Sequence, residues 1–192
     1  MIALLAGLVA SAIGAYEFGT WCMEVAPIVV VMPLLWFTRR RFPLTTLAYV
    51  LIFIQSALMM LGGHYTYARV PLGFWMEQWF GWTRNDFDKI AHLAQGFVPA
   101  IAARELLLRH TLLRPGGWLF VLVTATCLAI SACYEFIEWW SALLLGSGAD
   151  AFLGSQGDPW DTQSDMFMAF IGAMLAQLLL ARRHDRQLAR LA

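Results

Sequence analysis

Between Gly117 and Leu145 the chain runs for 29 residues with only two charged side chains, Glu135 and Glu138. A bilayer's hydrocarbon core, ~30 Å thick, takes roughly 20 apolar residues of helix to cross. Only helices and closed barrels leave no backbone group unpaired at that depth. This block is therefore read as a membrane-spanning helix. Its two acids, three residues apart, share one helix face. A carboxylate at membrane depth faces a polar interior, a cavity or a partner. The rest of the chain has to supply that surrounding.

Further apolar blocks predict an all-α, polytopic bundle of six spans in one integral membrane domain, residues 1–192. The expected spans are Ile2–Phe18, Trp21–Phe37, Leu44–Leu61, Phe87–Leu108, Trp118–Leu145 and Pro159–Ala181. Pro27 and Pro33 are expected to bend the second span, and Gly62 and Gly63 to end the third. The first apolar stretch has no basic leader, so it is read as a span and not as a cleaved signal. From His64 to Arg84 the chain is polar and aromatic, and Trp75, Trp79 and Trp82 suit a short interfacial helix. A second loop, Gly146 to Gly157, is rich in glycine and serine. Hydrophobic residues make up 60% of the chain, which fits the membrane class, and a formal net charge of zero gives no hint of nucleic acid. Cys22, Cys127 and Cys133 match neither a zinc spacing nor a disulfide framework.

Charge sets the expected orientation. Six spans place Arg39–Arg41, Arg104, Arg109, Arg114, Arg182, Arg183, Arg186 and Arg190 on one side, with only Glu105 and Asp185 as acids. The other side holds Arg69, Arg84 and Lys89 against the eleven remaining acids. By the positive-inside rule the arginine side is cytoplasmic, both termini are inside, and both loops are external.

With that topology several costly residues share a depth near the outer face. His64 follows span three; Asp88 and His92 open span four. Glu135 and Glu138 near the outer end of span five, and Asp158, Asp161 and Asp165 open span six. Oxygen and imidazole donors without thiolate suit zinc, manganese or magnesium, and the same groups suit acid–base chemistry. Blander roles stand beside these. Asp158-Pro159-Trp160-Asp161 has the pattern of a helix cap, with Pro at the first helical position. Asn85 with Asp88 reads likewise. Glu135 and Glu138 lie late in their helix, where capping does not account for a negative charge; for them the plain role is an ion pair with Arg69, Arg84 or Lys89. Gln55 and Gln95 read as interhelical hydrogen bonders, and His110 and His184 as surface residues.

Four runs also resemble a known family. They are Gly62-Gly63-His64-Tyr65-Thr66-Tyr67-Ala68-Arg69-Val70-Pro71-Leu72-Gly73, Asp88-Lys89-Ile90-Ala91-His92-Leu93-Ala94-Gln95-Gly96-Phe97, Tyr134-Glu135-Phe136-Ile137-Glu138-Trp139 and Gly157-Asp158-Pro159-Trp160-Asp161-Thr162-Gln163-Ser164-Asp165-Met166. Across nearly the whole chain they are similar to the bacterial inner-membrane YjdF family, whose biochemical function is unknown. The resemblance implies a multi-pass protein of the bacterial inner membrane. Asp88-Lys89, His92 and the later acids are more distantly similar to VanZ-like membrane proteins. There the chain departs, with Met-Phe-Met-Ala after Asp165 in place of an Asn-containing continuation.

The leading functional reading is a membrane-embedded, metal-assisted hydrolase at the outer leaflet, acting on a lipid or lipid-linked envelope component. Glu135, Glu138, His92 and Asp165 are its catalytic candidates. His64, His92, Glu135, Glu138, Asp161 and Asp165 are the candidate ligands of a divalent metal such as zinc, manganese or magnesium. Arg84 and Lys89 are the candidate binders of an anionic headgroup. A transporter or ion-binding protein is the alternative, and so is a non-catalytic partner in envelope assembly. Against transport, the arginine-side halves of the spans look dry: little beyond Gln55, Thr124, Thr126 and Ser131 lies below Glu135.

Overall fold

The structure is a computed structural model and describes residues 1–146 and 150–191. Gly148, in the second loop, lies outside the described residues. Among the described residues the chain is all helical: α1 (Ile2–Ala12), α2 (Phe18–Thr38), α3 (Thr46–Tyr65), α4 (Pro71–Phe80), α5 (Phe87–His110), α6 (Gly117–Leu145), α7 (Asp150–Leu153) and α8 (Asp161–Leu188). A 3-10 turn, Tyr67–Arg69, precedes α4.

Four of these, α2, α3, α6 and α8, are long and apolar enough to cross a membrane. The expectation of six spans changes at two places. Helix α1 has 11 residues, so at ~1.5 Å per residue it covers ~17 Å, about half the hydrocarbon core. Helix α5 has the length, 24 residues, but is interrupted by charge at both ends. Those charges do not face lipid, because α5 is the centre of the bundle.

Helix α5 packs most extensively on α8, and α6 lies against both. The α5–α8 seam is built of small residues: Gly96, Ala100 and Ala103 face Ala169, Gly172, Ala173 and Ala176, and the alanines there are buried. A Cβ at Gly96 would run into the backbone of Ala169, and one at Gly172 into the backbone of Leu93. Small residues let two helix backbones approach in a membrane, where dispersion and hydrogen bonding drive association more than water exclusion does. Helix α3 covers another side of α5, with α2 and α1 beyond it. Leu51, Val98, Ile101, Leu119, Val123, Cys127, Ala173 and Ala176 form a dry middle shared by α3, α5, α6 and α8.

Several local expectations change. Helix α3 runs through Gly62 and Gly63 to Tyr65; both glycines are buried, with the Tyr67 ring over Gly62 and Trp21 and Glu24 beside Gly63. Helix α8 starts at Asp161, after Pro159. Asp158 is not its N-cap; its Oδ1 accepts from the Trp160 amide at 2.9 Å. Asn85 is a buried pin rather than a simple cap, donating to the Val70 carbonyl and accepting from the Phe87 amide. A short helix does form where an interfacial one was expected: α4, with Trp75 and Trp79 exposed and Gly81 closing it in the left-handed conformation at φ 67°.

The two ends of the bundle differ in charge as the sequence suggests. The arginine end joins α3, α5 and α8 through Glu105, which accepts from the Thr45 amide and hydroxyl and from Arg109, while His184 Nε2 lies at 3.1 Å. His184 is fully buried and not a surface residue, because α8 continues past Ala181 and turns that ring into the α5 seam. His110, by contrast, is exposed and stacks on Phe42.

Candidate functional site

At the acidic end the close α5–α8 seam sets the geometry. One turn of α5 beyond Gly96 stands His92, and one turn further Lys89 and Asp88. One turn of α8 before Ala169 stands Asp165, then Asp161. Lys89 Nζ is 2.8 Å from both Asp161 Oδ1 and Asp165 Oδ1. Arg84, in the loop before α5, reaches Asp86 at 2.7 Å, Asp161 at 2.9 Å and Asp158 at 3.3 Å, and donates to the Ser155 carbonyl. Burial works against the Arg84 charge, but the hydrogen bonds to Asp161 and Asp86 outweigh it and hold the guanidinium above its ordinary value. Both candidate headgroup binders are thus already clasped by carboxylates. A phosphate oxygen would reach them only by displacing one.

Helix α6 brings in the other acids. Glu135 Oε1 lies 4.0 Å from His92 Nδ1, and Asp165 Oδ2 lies 3.9 Å from His92 Nε2. His92, Glu135 and Asp165 each offer a ligand atom, all within 4.8 Å of one another, and all three residues are buried. A second such group, Asp88, Asp161 and Asp165, shares Asp165, but Lys89 already stands among its oxygens. The first group is different. His92 Nδ1 and both Glu135 oxygens are buried without a hydrogen-bond partner, although buried polar atoms are normally paired. One imidazole nitrogen and two carboxylate oxygens within 4.8 Å of one another make a donor set that suits a divalent cation, the ring presenting one of its two nitrogens to it.

Glu138, one turn on, is 8% exposed. It lies toward a residue the sequence reading passed over, Glu24 of α2, which is 1% exposed. Glu24 accepts a hydrogen bond from the Tyr134 hydroxyl at 3.1 Å. Tyr67, outside the long helices, meets the same carboxyl. Its phenol is held well above its ordinary value by burial, then by the charge of Glu24, the hydrogen bond to it, and the charges of Glu138 and Asp88. The signal for Glu24 was in the sequence: an acid seven residues into an apolar helix meets the same criterion that singled out Glu135. His64, the sixth candidate ligand, is elsewhere; its Nδ1 is 3.0 Å from the Ser11 carbonyl and its ring edge meets Tyr65.

Eight carboxyls, Glu24, Asp86, Asp88, Glu135, Glu138, Asp158, Asp161 and Asp165, therefore gather around two cations, Arg84 and Lys89. Buried charge of one sign is not sustained; protons or a bound cation must make up the difference.

Gln55 and Gln95 are not interhelical hydrogen bonders. Their side-chain oxygens have no partner, and both residues line a cavity of about 350 Å³ walled by α2, α3, α5 and α6, with His92, Tyr67 and Tyr134 at one end.

Comparison with known proteins agrees with this membrane architecture. The family described as "Predicted membrane protein (DUF2238)" matches residues 1–186. The chain belongs to that family. It is also 52% identical over 183 residues, 95% of its own length and 88% of the relative's, to "Inner membrane protein YjdF" of Escherichia coli (strain K12). This bears out the YjdF resemblance and the bilayer environment; nothing about VanZ-like proteins follows from it. No solved structure matches.

Proposed function

We propose that this DUF2238 chain is one integral membrane domain of the bacterial inner membrane, crossing the bilayer several times with its C-terminus cytoplasmic; the expected cytoplasmic N-terminus needed α1 to span, and its 11 residues are too short for that. At its outer end it carries a metal-assisted hydrolase site for a lipid or lipid-linked envelope component. One observation carries the reading: His92, Glu135 and Asp165 converge within 4.8 Å, buried, with His92 Nδ1 and both Glu135 oxygens unpartnered. His92, Glu135 and Asp165 are the residues that would hold the ion. A divalent ion there supplies a Lewis acid that lowers the pKa of water and polarises a scissile group. Lys89 and Arg84 keep Asp165 and Asp161 in place. Glu138, between this group and the Glu24–Tyr134 pair, is placed to take or give a proton. His64 and Asp161 remain candidates only if the site rearranges around a substrate.

The transport reading has one supporting feature, the polar groups at both ends of the α5–α8 seam. Between them stands the apolar packing of Val98, Ala100, Ile101, Val123, Cys127, Ala173 and Ala176, broken by a buried hydrogen bond from Gln177 to Thr124.

The deciding experiment measures metal in protein purified without chelator and then offered zinc, manganese and magnesium. One ion per chain is expected, lost in His92→Ala, Glu135→Gln and Asp165→Asn. A wild type that takes up none of the three removes the metal from this account. Reporter fusions at Gly73 and at the C-terminus test orientation; a cytoplasmic signal at Gly73 would overturn it.

A further inference from the structure

Of the 13 lysines and arginines in the chain, a single one is a lysine. That residue, Lys89, stands among the carboxylates of the acidic end. The two kinds of cation differ physically. A guanidinium is a flat fork, whereas an ammonium is a compact point charge that takes contacts from several directions. A position enclosed by oxygens therefore accepts a lysine, or a metal ion, more readily than an arginine.

Two helices build the enclosure. On α8, Asp161 and Asp165 are four residues apart and share a face, and the small-residue seam brings that face against the first turn of α5. On that turn Asp88 and Lys89 are neighbours. Lys89 Nζ lies 2.8 Å from Asp161 Oδ1, 2.8 Å from Asp165 Oδ1 and 3.7 Å from Asp88 Oδ2. The same three aspartates each offer an oxygen, all within 4.8 Å of one another, so the ammonium stands where a cation ligated by them would stand. It does not satisfy all three. Asp88 is 5% exposed and its Oδ1 accepts from the Lys89 amide, but its Oδ2, facing the ammonium, has no hydrogen-bond partner. Arg84 also reaches Asp161 Oδ1, with Asp86 and Asp158 offsetting its charge.

Asp165 joins this enclosure to the neighbouring one. Its Oδ1 meets Lys89, while its Oδ2 lies 3.9 Å from His92 Nε2. A carboxylate with one oxygen turned toward each of two cation positions can bridge them at the ~3.5–4 Å spacing of two-metal sites. Here one of the two positions holds a side chain.

We propose that Asp88, Asp161 and Asp165 form a second divalent-cation site, and that the Lys89 ammonium fills it as a built-in cation, holding the protein to one ion. All-oxygen donors suit manganese or magnesium there. The ammonium leaves Asp165 one oxygen for an ion at His92 and Glu135. The inference rests on the proposed metal centre for that neighbouring ion alone; the second site stands or falls by itself.

The test removes the ammonium and counts ions. Full-length, tag-free protein in detergent is loaded with manganese, freed of excess, and measured by elemental analysis and electron paramagnetic resonance. Wild type should hold one ion per chain. Lys89→Met keeps the stem, removes the charge, and should hold two. Adding Asp88→Asn to Lys89→Met should return the count to one. With two ions bridged by Asp165, the hyperfine spectrum of an isolated manganese ion should give way to that of an exchange-coupled pair. A folded Lys89→Met that takes up no more manganese than wild type overturns the proposal. So does a second ion that survives Asp88→Asn or shows no coupling to the first. If Lys89→Met is not recovered in metal-free detergent, it is purified with manganese present throughout. Recovery restored by manganese supports the proposal, since the ion then replaces the ammonium; recovery in neither condition overturns it. A wild type without metal, beside a Lys89→Met holding one ion that Asp88→Asn removes, would discard the His92 centre and keep this one. One ion in both, lost in His92→Ala, would do the reverse.

Discussion

The two ends of the α5–α8 seam each bury a histidine among carboxylates, yet they are built to opposite rules. At the arginine end Glu105 takes hydrogen bonds from Thr45 and Arg109, and His184 is held between Glu105 at 3.1 Å and Arg104 at 3.0 Å. Arg104 then reaches Asp185 at 2.7 Å. Within this buried network each charge has an opposite neighbour. At the acidic end His92 stands 4.0 and 3.9 Å from its two carboxylates, and the Glu135 oxygens have no partner. Saturated buried networks fix a structure, whereas unsatisfied ones are kept at a cost in stability and cluster at functional sites. One end is built as a latch, and the other is left open in the way the proposed site requires.

The largest effect should come from breaking what both ends share. Gly96→Leu would drive a side chain into the Ala169 backbone, separate α5 from α8, and leave both clusters without geometry. Little folded protein should be recovered in detergent, and a variant that melts like wild type would show that the seam is not the organiser. Next comes the latch. Glu105→Ala strands Arg109, His184 and the Thr45 groups. Removing one partner from a buried ionic network costs ~3–5 kcal/mol, which thermal unfolding would read as a steep loss of Tm. Metal uptake at the other end should be untouched; its loss would mean the two ends are coupled through α5.

What was legible in the sequence follows the same division. Apolar length gave the long helices, and arginine bias gave the two ends. Single acids inside apolar runs pointed to Glu135, Glu138 and Asp165, which the fold brings beside His92 or toward Glu24. Hydropathy missed α5 as the buried centre and overstated α1, because it cannot tell lipid-facing from helix-facing residues. The small-residue seam of Gly96 and Gly172 is a property of pairing, visible only when α5 and α8 are laid together. His184 was misplaced because charge counting takes basic stretches as surface, while α8 carries that turn into the bundle. Glu24 was passed over because its partners, Tyr134 and Tyr67, lie far along the chain.

Smaller in energy but sharper in meaning is Glu135→Gln. If the acidic end were a second latch, the change would destabilise like a change at Glu105. A buried carboxylate with no partner instead loses a charge that stability did not need. Metal-free Glu135→Gln should melt at or above the wild-type temperature, as happens when function holds a group against stability, and should fail to bind metal. For wild type, lowering pH puts protons in competition with the ion for imidazole and carboxylate lone pairs, so metal occupancy should fall as pH falls. Occupancy that rises on acidification would exclude these ligands.

The smallest effect falls on His64, and it decides where the site ends. The residue is at the correct end of α3, and by sequence alone it was a candidate ligand alongside His92. In the structure its Nδ1 meets the Ser11 carbonyl at 3.0 Å, and the neighbouring His64 carbonyl accepts from the Tyr16 amide. Both contacts hold α1 and its following turn onto α3. The side chain then contributes one hydrogen bond to a helix of 11 residues, a net ~0.5–1.5 kcal/mol. His64→Ala should lower Tm slightly, loosen α1 in hydrogen exchange, and leave metal stoichiometry and affinity at wild-type values. His92→Ala should do the opposite, abolishing the metal with α1 protection unchanged. If His64→Ala weakens metal binding about tenfold, α3 swings its end toward α5 in the loaded protein, and the boundary between latch and site drawn here moves with it.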